Sequence, residues 1–444
     1  MIRGNRSERQ QVAVAQDEPL GPGAGRWFAG SAAIRKAMDS IGRAMASADT
    51  TVVTVCSIAA ALSVGAIIMI VTTPQVIDAW KHVFSYPGLA VSSSWRLVYG
   101  AYEALLAGSL GTPTAYAHAI HVHSIAAFDN AAYPLSETLL DASPYLLGGV
   151  AVSIALKAGL FNIGGQGQMI VGALAAVAVG LAWPKMPLLP HLTLALVAAC
   201  LAGALFGWLP GILRAKAGAH EVIVTLMLDY VALNILLYVL TVPFFVGHGQ
   251  QNAISLSMPA SATLPLLAGS GLRVNLGVVI ALIVVWLSSL LLSRSRFGYR
   301  LRVLGASPSA ARAAGISTVR VIIGAMVISG GILGLAGGVY VTGVAPNLVA
   351  SYGGSIGFNA VIVALLGRGK PLGVVFAALL FGMFDSGGLA MQAATPVSLD
   401  LVLVVESVIV VFITAPVLVR AMFRLPTPAG GAALPSMGGW GGGG

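Results

Sequence analysis

The feature that most constrains this chain is a succession of apolar runs, most about 20 residues long, separated by short polar joints. That is the length an α-helix needs to cross a hydrocarbon core of about 30 Å. Such runs lie at 52–73, 140–160, 163–183, 190–213, 220–245, 273–293, 320–343, 354–366, 372–391 and 398–418. The eighth is short and flanked by glycine, so it reads as a re-entrant or broken helix. Inside a bilayer every backbone polar group must be satisfied within the chain, which leaves helices for segments of this length. The expected fold class is therefore all-α, a polytopic integral membrane bundle of about ten spans. With 57% hydrophobic and only 9% charged residues, the chain is far from the roughly 25% charge of soluble domains. An ordinary soluble enzyme and a disordered chain are both excluded.

The basic residues give an independent check on the order of spans. With the first fifty residues inside the cell, 24 Lys and Arg residues can be assigned to sides, and all but Lys81, Arg96, Lys185 and Arg273 fall inside. That is the asymmetry the positive-inside rule requires. The net charge of +9 is thus topological, and no nucleic-acid partner is expected. Both termini are placed in the cytoplasm. Residues 1–50 read as a polar tail without a cleavable signal, because no short apolar stretch precedes the run at 52–73. Residues 51–419 form the membrane domain, and 425–444 a Gly- and Pro-rich disordered tail. Segment 74–139 is half apolar but carries Arg96 and Glu103. A further full span there would invert every later loop, so it reads as an extracytoplasmic loop with an interfacial or re-entrant helix. Cys56 and Cys200 both lie in apolar runs and imply no disulfide framework.

Enzymatic signatures are absent or out of context. No GxxxxGK[ST] phosphate loop occurs, so this chain does not hydrolyse ATP by that route. His220-Glu221 starts a zinc-protease pattern without the second His. Gly353–Gly357 matches GxSxG but joins two spans, where a glycine-rich turn is the simpler account. His118, His121 and His123 cluster in the outside loop without a supporting Cys or carboxylate pattern. Gly330, Gly334 and Gly338 fall four apart on one helix face, which lets a second helix approach closely.

Polar residues at membrane depth carry more information. Asn162-Ile163-Gly164-Gly165-Gln166-Gly167-Gln168 interrupts what would otherwise be hydrocarbon. Irregular polar backbone is tolerated there only inside protein or beside a water-filled cavity, so the stretch lines a path or forms a cytoplasmic hairpin. Asp229, Asp385 and Glu406 sit within spans, where a central charge costs at least ~2.5 kcal/mol unless it faces the interior. Glu221, Thr225 and Asp229 recur every fourth residue as a polar stripe. Interhelical hydrogen-bonding and a translocation path both fit, and the stripe would also suit a proton-coupled secondary transporter. Asn162, Gln166, Gln168, Thr225, Asp229, Asn359, Asp385 and Glu406 are the candidate path residues.

The loop at 294–318 is strongly basic. Within it, Ser307 suits an N-cap, Pro308 the first helical position, and Gly315 the left-handed position after the end. A short capped helix over 308–314 follows, and a lone helix so short must dock on something.

At these residues the chain resembles the permease subunits of bacterial ABC importers for branched-chain amino acids, ribose and nucleosides, and most closely the nucleoside branch often labelled simple-sugar permeases. GLFNIGGQGQMIVGALAA at 159–176, HEVIVTLMLDYVALN at 220–234, RSRFGYRLRVLGASPSAARAAGIS at 294–317 and GFNAVIVALLGRGKPLG at 357–373 carry the resemblance in order, with AYEALLAGSLG at 101–111. Gln166 stands where the family commonly has an acid, and Asp229 where it commonly has Asn. The resemblance implies a permease without covalent chemistry or a cofactor of its own. It would move nucleosides, related ribosides or simple sugars across the cytoplasmic membrane by alternating access. ATP would be used by a separate cytoplasmic ATPase subunit, contacted through a coupling helix with Ser307, Pro308, Ala310, Ala311, Arg312 and Gly315. A second homologous permease and an extracytoplasmic substrate-binding lipoprotein would complete the assembly in the lipid membrane. The rival class is a secondary transporter acting alone on a proton gradient.

Overall fold

A computed structural model of the chain describes residues 50–247, 252–269 and 271–414. The chain divides into two units, Met1–Ala60 with Ala415–Gly444, and Ala61–Thr414. Only residues 50–60 of the first are described, as helix; every contact below lies in the second. The tails expected at 1–50 and 425–444 thus fall outside the described residues, apart from Thr50.

Sixteen α-helices follow one another among the described residues, and β-structure is limited to isolated bridges at Ile254–Val349 and Leu266–Asn275. They are α1 (Thr50–Thr72), α2 (Pro74–Lys81), α3 (Pro87–Leu110), α4 (Pro113–Val122), α5 (Ile125–Lys157), α6 (Gly165–Ala182), α7 (Leu188–Ala217) and α8 (Glu221–Val239). After the short α9 (Pro243–Val246) come α10 (Leu276–Arg294), α11 (Arg296–Ala306), α12 (Pro308–Ala313), α13 (Thr318–Val339), α14 (Ile356–Leu366), α15 (Pro371–Ala394) and α16 (Leu399–Thr414). Seven are long and apolar enough to cross a membrane, or eight if α1 and α2, bent by 74°, count as one broken span. The ten expected runs therefore do not all become full spans. α14 has 11 residues, about 16 Å of helix, in keeping with a broken or re-entrant segment. α16 has 16 described residues.

Two segments differ from a plain reading of hydropathy. The run expected at 140–160 begins at Ile125 and continues for 33 residues despite Pro134 and Pro144. Pro144 offers no N–H to the Leu140 carbonyl, and the Ser143 hydroxyl donates to that oxygen instead at 2.8 Å. Segment 74–139, expected as a loop with one interfacial or re-entrant helix, holds three complete helices and the head of α5. α3 packs along the bundle: the Ser386 hydroxyl of α15 donates to the Gly108 carbonyl (2.9 Å), and the Thr138 hydroxyl of α5 to Ser109 (2.7 Å). These contacts of α3 are polar or small, which suits a membrane, where lipid tails are as apolar as leucine and exert no hydrophobic force between helices.

The tightest seam joins α7 to α13. Gly203 and Gly207 meet Gly330 and Gly334 backbone to backbone, and Gly334 also lies against Gly172 of α6. A Cβ at any of these would strike a main-chain atom. All three glycines in the predicted face thus make the expected close approach to α7, Gly330 and Gly334 against backbone and Gly338 against the Ala199 side chain. The apolar core around this seam is built from α5, α10, α13, α14 and α15, with Leu147, Ile154, Met326, Leu333 and Phe381 buried.

Candidate functional site

α5 stops because of one glycine. Gly159 takes φ +74, its N–H bonds the Leu156 carbonyl (3.0 Å), and the Leu160 N–H reaches back to Ala155 (3.1 Å). This is the double hydrogen bond of a Schellman ending, open to residues without a Cβ. The chain then runs without regular structure from Leu160 to Ile163 and turns at Gly164 before α6 starts at Gly165. None of this stretch is a water-exposed hairpin. Asn162 is 0% exposed, Gln168 1% and Gln166 7%.

The amides satisfy one another. Asn162 Nδ2 donates to Gln168 Oε1 and to Ser329 Oγ of α13, each at 2.9 Å, and Gln168 Nε2 returns a bond to Asn162 Oδ1 at 3.2 Å. Gln166 faces the other way. Its Nε2 donates to the Tyr352 carbonyl (3.0 Å), and its Oε1 accepts from the Gly357 N–H (2.9 Å). Gly357 lies in the first turn of α14, whose own N-cap Ser355 makes no capping bond. Gln166 therefore supplies from another element the acceptor this helix start lacks.

α6 is capped the same way. Its N-cap is Gly164, with no side chain to offer, and the orphan N–H of Gly167 is taken by Asp229 Oδ1 of α8 at 2.7 Å. A carboxylate at the positive end of a helix is also favoured electrostatically. Gly167 is needed for this approach, because a Cβ there would lie 2.7 Å from Asp229 Oδ1. The other oxygen, Oδ2, is buried and has no hydrogen-bond partner among the described residues. One turn away Thr225 lies against Gly164, its hydroxyl bonded to its own helix at Val222 (3.2 Å). Another turn on, Glu221 is paired with Arg214 of α7 at 3.1 Å. The predicted polar stripe is thus the buried face of α8, while Ile223, Met227 and Tyr230 point outward.

Asp385 belongs to a second cluster. Tyr145 of α5 donates to its Oδ2 at 2.8 Å, and the Tyr145 ring packs against Phe381 with centroids 5.4 Å apart. Asp141, one turn before Tyr145, interacts electrostatically with Asp385 and with Glu137. Glu137 is paired with Arg273 at 3.2 Å. Asp141 escaped the sequence reading, although Glu137, Asp141 and Tyr145 repeat every fourth residue as the α8 stripe does. Asn359 is bonded to Ser355 in the first turn of α14 (3.2 Å). Glu406 lies on α16, and its side chain is outside the described ones.

The basic loop contains two helices rather than one, α11 and α12. α12 is capped as its sequence implies: Ser307 Oγ accepts from the Ala310 N–H (3.2 Å), and Gly315 sits at φ +70. Gly315 bonds Arg312 (3.0 Å) and Ile316 bonds Ala311 (2.9 Å), a second Schellman ending. The helix closes at Ala313, one residue before expectation. A larger difference concerns Ala311, which is 0% exposed and packs into the chain's own core. The outward flank is Pro308, Ser309, Ala310 and Arg312. Among the described residues no group of three or more His, Cys, Asp or Glu could hold a metal.

A multi-pass bundle with inward-facing amides and carboxylates at the heads of two interrupted helices has the build of a membrane permease. The chain belongs to the family described as branched-chain amino acid transport system / permease component, which matches residues 135–414. It is an ABC transporter permease, a transport component rather than an enzyme. It is 37% identical over 293 residues to the guanosine ABC transporter permease protein NupP of Bacillus subtilis, covering 65% of this chain and 83% of that one. The nucleoside ABC transporter permease protein NupB of Lactococcus lactis is 33% identical over 65% of this chain and 81% of its own. The glucose ABC transporter permease protein TsgB13 of Haloferax volcanii is 35% identical over 63% and 76%. No solved structure matches the chain significantly.

Proposed function

We propose that this permease imports nucleosides or related ribosides and simple sugars by alternating access, driven by a separate ATPase subunit. The observation that carries the substrate class is the seam at the head of α6. Asn162, Gln166, Gln168, Thr225 and the second oxygen of Asp229 bring donors and acceptors into the bundle without a basic group among them. Exchanged for bonds to a solute as the transporter alternates, such a set suits a neutral molecule rich in hydroxyl and amide groups. The names of the guanosine, nucleoside and glucose permeases point the same way. Asp385, Asn359 and Glu406 extend the path on α15, α14 and α16.

The ATPase docks on the outward flank of α12, a second homologous permease faces this one, and a substrate-binding lipoprotein delivers solute from outside. The protein resides in the cytoplasmic membrane with both termini inside. Residues 51–419 are the permease domain, 74–139 its extracytoplasmic segment and 294–318 its coupling loop. The test is uptake of labelled purine and pyrimidine nucleosides, ribose and leucine in cells with and without the gene, after ATP depletion or after uncoupler with ATP held up. Nucleoside uptake that needs the gene and ATP but survives the uncoupler is expected. Uptake lost to the uncoupler alone would replace the reading with a proton-coupled carrier. Within the working transporter, Arg312→Glu should abolish transport-coupled ATP hydrolysis while leaving membrane levels unchanged.

A further inference from the structure

We propose that the cavity between the ends of α10 and α13 is a binding site for the phosphate group of an anionic phospholipid. The cavity measures about 680 Å³, and Arg294, Arg296, Arg300, Arg302 and Arg320 all line it, with no Asp or Glu in its wall. All five are exposed, and among the described residues none of them forms an ion pair. The positive-inside rule explains why these arginines share one side of the membrane. It does not explain why five converge on one concave surface while Arg312, the one other arginine between Arg294 and Arg320, stays outside it on α12. Like charges gathered in one cavity repel, and an anion that enters relieves all five interactions together. Guanidinium groups suit phosphate oxygens in particular, because two parallel N–H donors match two oxygens.

Position selects the source of the phosphate. Arg294 is the last residue of span α10 and Arg320 the third of α13, so both stand where a hydrocarbon core gives way to headgroups. Basic pockets at that level between spans hold anionic headgroups in other membrane proteins. The exposed Tyr299 at the rim offers an amphipathic ring of the kind that favours the interface. The flank of α12 proposed for the ATPase, Pro308 to Arg312, is outside the cavity, which borders that helix only at its end, Ala314 and Gly315.

The experiment uses the full chain in nanodiscs of phosphatidylcholine containing a small fraction of phosphatidylglycerol, with retained lipid counted by native mass spectrometry. Retention of phosphatidylglycerol over phosphatidylcholine is expected. Arg300→Gln with Arg302→Gln should weaken it about 30-fold, from about fivefold per arginine, while Arg312→Gln leaves it unchanged. Thermal unfolding in pure phosphatidylcholine checks that the double variant folds, and Arg294→Gln with Arg320→Gln probes the arginines on α10 and α13 if it does not. Equal retention of the two lipids, or retention indifferent to both pairs, overturns the proposal. So does displacement by millimolar inorganic phosphate, which would mark a free-anion site, and so does release on binding of the ATPase, which would assign the cavity to the protein interface.

Discussion

Two seams meet on α6 and α13, and they are built on opposite principles. Between α7 and α13 the closest contact is glycine on glycine, main chain against main chain, with only small side chains such as Ala199 and Ala204 beside it. Between α6 and α8 the contact is a carboxylate on a helix N-terminus, with a threonine on a bare glycine beside it. The first is close van der Waals packing with no room for an alternative arrangement. The second is a small set of directional bonds that can be exchanged for others of similar strength. A transporter needs both, a frame that does not yield and a joint that does.

The contrast can be broken at either seam. The largest effect should come from Gly334→Leu, whose side chain has to enter the backbone of α7 at Ala199 and Gly203. Overpacking against main chain should cost about 3 kcal/mol or more and abolish monodisperse protein in size-exclusion chromatography. Gln166→Leu should come next. It strips the caps from the Gly357 N–H and the Tyr352 carbonyl, and two buried groups left without partners cost roughly 1–3 kcal/mol each, read as a lower unfolding temperature in detergent.

Asp229 sharpens the comparison, because stability and transport should part there. Asp229→Ala uncaps Gly167 at a cost of about 1 kcal/mol, whereas Asp229→Asn keeps an acceptor and should unfold close to the parent temperature. Both should lose most uptake, since both remove the carboxylate whose second oxygen has no partner among the described residues. If Asp229→Asn transports normally, Asp229 is structural glue alone. The smallest effect should be Thr225→Val, whose hydroxyl bonds only within α8. Stability should fall by about 1 kcal/mol or less, the net worth of one such hydrogen bond, and a loss of uptake without loss of folded protein would place that hydroxyl on the solute's route.

Local devices were readable from sequence wherever their parts are close together. Ser307, Pro308 and Gly315 lie within nine residues and form the caps their identities imply. The four-residue glycine spacing of α13 and the polar stripe of α8 follow from helical geometry alone. What could not be read joins distant positions: Gly167 to Asp229 across 62 residues, Gly357 to Gln166 across 191. Nothing in a single sequence marks such partners. Asp141 was missed because it falls at the first turn of the run expected at 140–160, where a charge reads as the end of a span, whereas the helix starts at Ile125 and carries it at mid-length. The orientation of α12 was hidden because its alanines mark neither side as apolar, so Ala311 looked available although it is buried.

Gly305 of α11 rests against the Lys157 carbonyl and the Gly159 amide at the end of α5. No side chain lies between them to bend or to change rotamer, so the junction has no slack. Asn162 follows three residues after Gly159. A push received at the basic loop would therefore reach the end of α5 through main chain alone, three residues short of the first amide of the interior.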